Sequence, residues 1–196
     1  MSVVGTIFSD EELTNPTWLS LHLSLDVESA SFASQSITGG LSGELRRLNI
    51  RTRDGTESSL MIKTFSEDKM TRSAELGLAR EAFFYAHLAP RLKEIVPKVW
   101  VVYGNMDTGL KVLVMEDIVG SVQSGYFFGP GSPHNWGKDL AALVQPAGNV
   151  SMVDVARSAF LDAAQIHAEY WQDKDLLQHP WLRGTAWLQG RDKASW

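Results

Sequence analysis

A lysine inside a run of strand-forming residues places the strongest constraint on how this chain folds. The stretch ESSLMIKTFS, Glu57 to Ser66, reads as a short buried strand apart from Lys63. An ammonium group in a protein interior is costly unless an anionic partner or a ligand compensates it. Either this strand is less buried than its composition indicates, or the fold brings a partner to Lys63.

The composition restricts the possible classes of protein. The chain has 196 residues, 44% of them hydrophobic, which is typical of a globular protein with one sizeable core or two small ones. Its formal net charge is −5, and it contains no block of lysine and arginine. This charge pattern argues against nucleic-acid and anionic-membrane partners.

Cysteine usage and the first residues bear on the compartment. The chain has no cysteine, which excludes disulfides, thiolate metal sites and a cysteine nucleophile. Its start lacks the pattern of a signal peptide, and no apolar run approaches the roughly 20 residues that span a bilayer. We therefore expect a cytoplasmic protein without a membrane partner.

Strand and turn patterns surround the lysine. Residues 33–66 read as three strands joined by turns, because apolar and polar residues alternate from Leu48 to Arg53 and Asp54-Gly55 is a strong hairpin signal. Two further strands, KVWVVYGN and GLKVLVMEDI, are joined by a predicted turn at residues 106–109.

Helical patterns precede and follow these strands. A helix is predicted from about Asp10, and a second from Ser73 to about Leu92. The second helix carries Glu81 on the same face as Leu78, Tyr85 and Leu88. Taken alone, Glu81 is more simply interpreted as a solvated glutamate at the edge of that face.

The last part of the chain begins with a connection rich in glycine and proline, residues 119–150. A long helix follows, with a stripe formed by Val153, Ala156, Phe160, Ala163, His167 and Tyr170. We interpret His167 as a packed core histidine and not as a catalytic base, because no acid or nucleophile accompanies it at a recognisable spacing. Tyr170 and Trp171 are also predicted to be core residues.

The order of these features resembles the nucleotide-binding lobe of the protein-kinase-like fold, in the branch of small-molecule kinases. This branch includes aminoglycoside phosphotransferases, choline kinases and the ecdysteroid-kinase-like family. The resemblance implies an α+β fold with a five-stranded antiparallel sheet, one helix and the start of a helical C-lobe. It divides the chain into a helical N-terminal segment (1–34), the nucleotide-binding N-lobe (35–118), the connection (119–150) and an incomplete C-lobe (151–196).

In this resemblance ITGGLSGEL matches the glycine-rich turn over the nucleotide phosphates. Gly39, Gly40 and Gly43 would let the backbone approach phosphate oxygens, and Ser42 would add a hydroxyl donor. The spacing of these glycines differs from the G-x-G-x-x-G motif, so an ordinary hairpin that contains glycines is the alternative.

Lys63 matches the strand lysine that reaches the phosphates, and Glu81 matches the glutamate of the next helix that pairs with it. A structural ion pair without a ligand is the alternative. VLVMEDI matches the strand that runs into the hinge: Met115 would lie beside the adenine, while the Glu116 carbonyl and the Ile118 N–H would bind its edge. An ordinary strand end is the alternative there.

The motifs of phosphoryl transfer are missing from this sequence. No H-G-D-x-x-x-x-N catalytic loop occurs, and no metal-binding aspartate follows one. Asp173 and Asp175 read more simply as a solvated helix end than as metal ligands. The intact family member is expected to use ATP and Mg²⁺ to phosphorylate a hydroxyl of a small molecule, and this chain alone is expected to transfer no phosphate.

Three hypotheses follow. The chain is the N-terminal portion of an ATP-dependent small-molecule phosphotransferase, or it is a non-catalytic, pseudokinase-like module that binds a nucleotide or a partner. In the third, the resemblance is coincidental and the chain is an unrelated α+β binding domain.

Overall fold

The structure is a computed structural model that describes residues 8–34, 44–65, 70–92 and 95–183. The chain divides into two compact units. The first comprises Met1–Asp117 with Lys174–Trp196, and the second comprises Ile118–Asp173.

A five-stranded antiparallel sheet forms the centre of the first unit. The strands lie in the order β1-β2-β3-β5-β4, with bounds β1 (Val27–Phe32), β2 (Glu44–Thr52), β3 (Glu57–Thr64), β4 (Val99–Gly104) and β5 (Lys111–Glu116). Several helices accompany the sheet, so the predicted α+β class and its five-stranded antiparallel sheet are confirmed. The strand that carries Lys63 is the central one.

The helices of the described residues are mostly short. The α-helices are α1 (Asp10–Leu13), α2 (Pro16–Leu23), α3 (Met70–Leu76), α4 (Arg80–His87), α5 (Leu140–Val144) and α6 (Met152–Glu169). The 3₁₀ helices are Ala89–Arg91, Ser124–Gly131, Pro133–Asn135, Gln145–Ala147, Lys174–Gln178 and Pro180–Arg183. In the described part of the chain, no helix is long and apolar enough to cross a membrane.

Both predicted turns are present. At the β2–β3 hairpin, Gly55 has φ 86°, and the Thr52 N–H donates to the Thr56 carbonyl at 3.0 Å. At the β4–β5 turn, Gly109 has φ 74°, and the Asn105 N–H donates to the Leu110 carbonyl at 2.9 Å. Glycine suits both turns because other residues rarely adopt positive φ.

The first strand begins earlier than predicted. β1 starts at Val27, inside the segment 1–34 that the sequence predicted to be helical. It pairs with the half of β2 nearest the hairpin, where Ala30 lies opposite Ile50. The run from Val27 to Phe32 has a buried first residue and mostly polar residues after it, which is typical of an edge strand and weak as a sequence signal.

Alternation along the strands separates two packed faces. One face of β3 carries Leu60 and Ile62, which form a buried cluster with residues of α1, α2, β1 and β2. The opposite face carries Met61, which packs with Leu113, Met115 and α4. Because side chains alternate, Lys63 belongs to the face of Met61, which is the face that α4 covers.

The predicted helix from Ser73 to Leu92 is two helices, α3 and α4. Gly77 (φ 62°) ends α3 in the left-handed region, and its carbonyl accepts a bond from Arg80 Nε at 3.0 Å. The prediction was wrong here because a glycine inside an apolar periodic run was read as part of one helix.

Close contact between α4 and β4 depends on a glycine. A Cβ atom built on Gly104 would lie 2.7 Å from the Ala82 Cβ and 3.3 Å from the Ala79 carbonyl oxygen. Ala79 and Ala82 are buried small residues of this contact. Because Gly104, Ala79 and Ala82 are small, the backbone of α4 is able to contact the backbone of β4.

The second unit contains the long helix α6, whose existence the sequence predicted. Ser151 and Asp154 form a capping box at its start. None of its residues is buried, and Phe160 is 77% exposed. His167 is exposed as well, so the prediction of a packed core histidine was wrong, and Trp171 is also exposed. An apolar stripe indicates which side of a helix is able to pack, but not that an element covers it.

Candidate functional site

The Lys63 side chain reaches a partner on α4. Its Nζ donates to Glu81 Oε1 at 2.8 Å, and the two side chains are 24% and 30% exposed. Because side chains alternate along β3, Lys63 lies on the face that α4 covers. The close approach of α4 to β4 at Gly104 brings Glu81 near enough to contact Lys63. The charge on the strand is thus compensated as the sequence requires, by an ion pair at the edge of the core.

A second lysine, Lys111, completes a cluster that sequence reasoning missed. Its Nζ donates to Glu81 Oε2, and its side chain is only 1% exposed. The ammonium also lies 4.9 Å from the centre of the Phe65 ring, a distance at which cation–π attraction operates. Lys63, Glu81 and Lys111 are called the two-lysine cluster below.

The register of the sheet explains why both lysines face one glutamate. Lys63 lies opposite Leu113 on β5, and Lys111 precedes Leu113 by two residues, which places it on the same face. A signal was available in the sequence, because Lys111 interrupts the apolar run GLKVLVM much as Lys63 interrupts its own strand. What the sequence lacked was the pairing of β3 with β5.

In the two-lysine cluster, one carboxylate, that of Glu81, forms ion pairs with two ammonium groups. Burial raises the pKa of Glu81, but hydrogen bonds and charges from Lys111 and Lys63 outweigh it and hold that pKa below its ordinary value. Burial lowers the pKa of Lys111 below its ordinary value, against the opposing hydrogen bond and charge of Glu81. With both lysines protonated, two positive charges face one negative charge, and the cluster carries a net charge of +1.

This arrangement is chemically suited to an added anion. Among the described residues, Lys63 Nζ donates its one hydrogen bond to Glu81, and an ammonium group has three donors. The side chain is partly exposed, so a phosphate oxygen has access to it. A nucleotide phosphate therefore fits the donor chemistry of Lys63.

The predicted hinge residues occupy different environments. Met115 is buried on the face of α4 and lies opposite Met61 of β3. The Glu116 N–H donates to the Lys98 carbonyl at 2.8 Å, and Glu116 Oε2 accepts from the Lys98 N–H at 3.1 Å. Ile118 begins the second unit, so its contact with adenine stays a prediction. Gly39, Gly40, Ser42 and Gly43 lie outside the described residues.

Asp117 is a further residue that sequence reasoning missed. Its side chain is 4% exposed and accepts hydrogen bonds from Arg47 Nε at 2.5 Å, Arg47 Nη2 at 3.2 Å and Ser59 Oγ at 2.5 Å. The hydrogen bond from Arg47 holds the pKa of Asp117 below its ordinary value despite burial. These contacts tie the end of β5 to β2 and β3, and no local sequence pattern indicates them because the partners are 58 and 70 residues away.

A separate cavity lies beyond the C-terminal end of α4. It has a volume of about 430 Å³, and Tyr85, Val96 and Lys98 are among its lining residues. Its lining includes neither Lys63 nor Glu81. Burial, with a smaller effect from the Glu81 charge, raises the pKa of Tyr85, so its phenol stays protonated near neutral pH.

The described residues contain no group of three or more His, Asp or Glu side chains able to hold a metal ion. Asp173 and Asp175 are therefore not part of such a group. Comparison with protein-family models, curated proteins and solved structures found no match to this chain.

Proposed function

We propose that the first unit binds the phosphates of ATP through Lys63, as the N-terminal portion of an ATP-dependent phosphotransferase that acts on a hydroxyl of a small molecule. The observation that carries the proposal is the ion pair between Lys63 on the central strand and Glu81 on the helix that precedes β4. In kinases a strand lysine and a helix glutamate form this pair, and the lysine contacts the nucleotide phosphates.

The surroundings of the ion pair support the proposal. The segment between β1 and β2 contains Gly39, Gly40, Ser42 and Gly43, where the resemblance has its phosphate-binding turn. The net positive charge of the two-lysine cluster favours an anionic ligand. Met115 lies on the same face of the sheet as Lys63, which suits a residue that borders the adenine.

In this role Lys63 would hold a phosphate oxygen, and Glu81 would orient the Lys63 ammonium. Bound ATP would supply the phosphoryl group for transfer. Because the sequence has no H-G-D-x-x-x-x-N loop, we propose that this chain binds the nucleotide without transferring its phosphate. We assign no protein ligand to Mg²⁺; the described residues contain no group of three or more His, Asp or Glu side chains able to hold a metal ion.

The experiment is a calorimetric titration of the full chain with ATP and Mg²⁺. The test variant is Lys63→Met, and the control is Lys98→Met, which removes the same charge from an exposed lysine beside Trp100. A lost charge-assisted hydrogen bond costs about 1.5–3 kcal/mol, which corresponds to a roughly 10- to 100-fold weaker affinity for Lys63→Met. The control should bind as the wild type does.

Two results would overturn the proposal. One is a wild-type chain that binds no ATP at millimolar concentration. The other is equal ATP affinity for wild type and a folded Lys63→Met variant, which would leave the ion pair as a purely structural contact.

A further inference from the structure

Lys111 is the member of the two-lysine cluster to which the proposed function assigns no role. It is almost completely buried, and a buried charge is retained only where its surroundings compensate it. Its compensation comes from Glu81 Oε2 and from the face of the Phe65 ring. Both groups are on the side of the sheet where Lys63 lies.

The two lysines divide one carboxylate between them. Lys63 bonds Oε1 of Glu81, and Lys111 bonds Oε2. A carboxylate held at only one oxygen rotates about its side-chain torsions, whereas contacts at both oxygens fix its plane. Lys111 thereby restricts where Glu81 holds the Lys63 ammonium.

Sharing the carboxylate also changes the charge that a ligand meets. Lys63 and Glu81 by themselves would form a neutral ion pair. The Lys63 charge would then be balanced before any ligand arrives. With Lys111 present, the same carboxylate serves two ammonium groups, and one positive charge remains unbalanced. The other titratable groups on α4 are Arg80, Tyr85 and His87. Burial raises the pKa of Tyr85, so its phenol is neutral at pH 7, and neither of the other two is an anion; none of the three cancels this charge.

We propose that Lys111 is a positioning residue of the nucleotide site: it fixes Glu81 against Lys63 and leaves the two-lysine cluster with a positive charge that the phosphates of ATP neutralise. This inference rests on the proposed function and deepens it. It attributes the unbalanced positive charge of the phosphate site to Lys111, a buried residue that does not touch the ligand.

The test compares ATP·Mg²⁺ affinity, by calorimetry at several salt concentrations, for wild type and three variants of Lys111. Lys111→Met removes both the hydrogen bond and the charge, Lys111→Gln keeps a donor without the charge, and Lys111→Arg keeps the charge. We expect Lys111→Met and Lys111→Gln to bind ATP about tenfold more weakly, with a smaller dependence of affinity on salt. Lys111→Arg should recover most of the affinity.

A second measurement follows Glu81 itself, by the NMR titration of its carboxyl group. Lys111→Met should raise the pKa of Glu81, because the carboxylate loses its more buried cation. Lys98→Met is the matched control, and it should change neither the affinity nor this pKa. Circular dichroism establishes that each variant is folded, and Lys111→Gln serves if Lys111→Met is not.

The outcomes separate this inference from the proposed function. If wild type binds ATP and Lys63→Met does not, while the uncharged Lys111 variants bind as tightly as wild type, the inference is overturned and the proposed function stands. An unchanged pKa of Glu81 in Lys111→Met overturns the positioning role in the same way. If wild type binds no ATP, the proposed function fails, and the role of Lys111 in a nucleotide site fails with it.

Discussion

Replacement of Glu81 by alanine tests the central contact of the structure. The substitution leaves Lys111 buried without its anionic partner, whereas Lys63 is partly exposed and is able to turn toward water. Breaking a buried ion pair by removing one partner typically costs about 3–5 kcal/mol. The Lys63 contact adds little to this cost, about 0–1 kcal/mol, because it lies near the surface.

The ordinary pKa of lysine sets an upper limit on the loss. Lys111 without a partner is able to release its proton, and its ordinary pKa is 10.5. Removing a proton at pH 7 from a group with this pKa costs about 1.36 kcal/mol for each of the roughly 3.5 pH units between the two values, or about 4.8 kcal/mol. We therefore expect Glu81→Ala to lower the free energy of unfolding by about 3–5 kcal/mol at pH 7.

Urea unfolding followed by circular dichroism, repeated from pH 3 to pH 10, measures this loss. The folded-state pKa of Glu81 is below its ordinary 4.5, so its contribution is fully present above 4.5 and is lost as the pH falls through the folded-state pKa. The difference between wild type and variant should therefore shrink at acid pH. It should shrink again as the pH approaches 10.5, because neutral Lys111 needs no anionic partner.

The control is Glu75→Ala, which removes an exposed glutamate from α3 and should change stability by less than about 0.5 kcal/mol. A loss below about 1 kcal/mol for Glu81→Ala, constant across this pH range, would refute the assignment of a compensated buried charge to Lys111.

Three further predictions concern other parts of the chain. Gly104→Ala should lower the free energy of unfolding by about 1–3 kcal/mol in urea, because the added methyl group meets Ala82, and a neutral result would contradict the close approach of α4. Asp117→Asn should cost about 1.5–3 kcal/mol at pH 7, because Arg47 loses a charged acceptor. Since the pKa of Asp117 is lowered, this difference should be fully present above pH 3.8 and decrease as the pH falls through the folded-state pKa of Asp117; a difference that does not change with pH would argue against the ion pair. Phe160→Ser on α6 should change stability by less than about 0.5 kcal/mol, because the side chain is exposed, and a loss of 2 kcal/mol or more, of the size core truncations show, would mean that it is packed.

The sequence was sufficient at the two hairpins and at α6, where a local pattern decides the structure. Alternation and turn glycines predicted the strand pairs on either side of Asp54-Gly55 and of the 106–109 turn, and the long periodic run predicted α6. The cost of an unpaired charge was enough to expect a partner for Lys63, and the resemblance to the kinase-like lobe named Glu81 as that partner. The structure contains this ion pair. In each case the physical cause acts within a few residues or follows from one buried charge.

Only the tertiary structure decided which features meet. Lys111 joins Glu81 because β5 pairs with β3 in one register. Asp117 meets Arg47 because β5 ends beside the interior of β3, which pairs in turn with β2. Whether the stripe of α6 is covered depends on neighbours that its own periodicity does not specify. A strand's sequence determines which of its residues share a face. Contacts between strands and helices depend on register and docking, which are set by the packing of residues far apart in the chain.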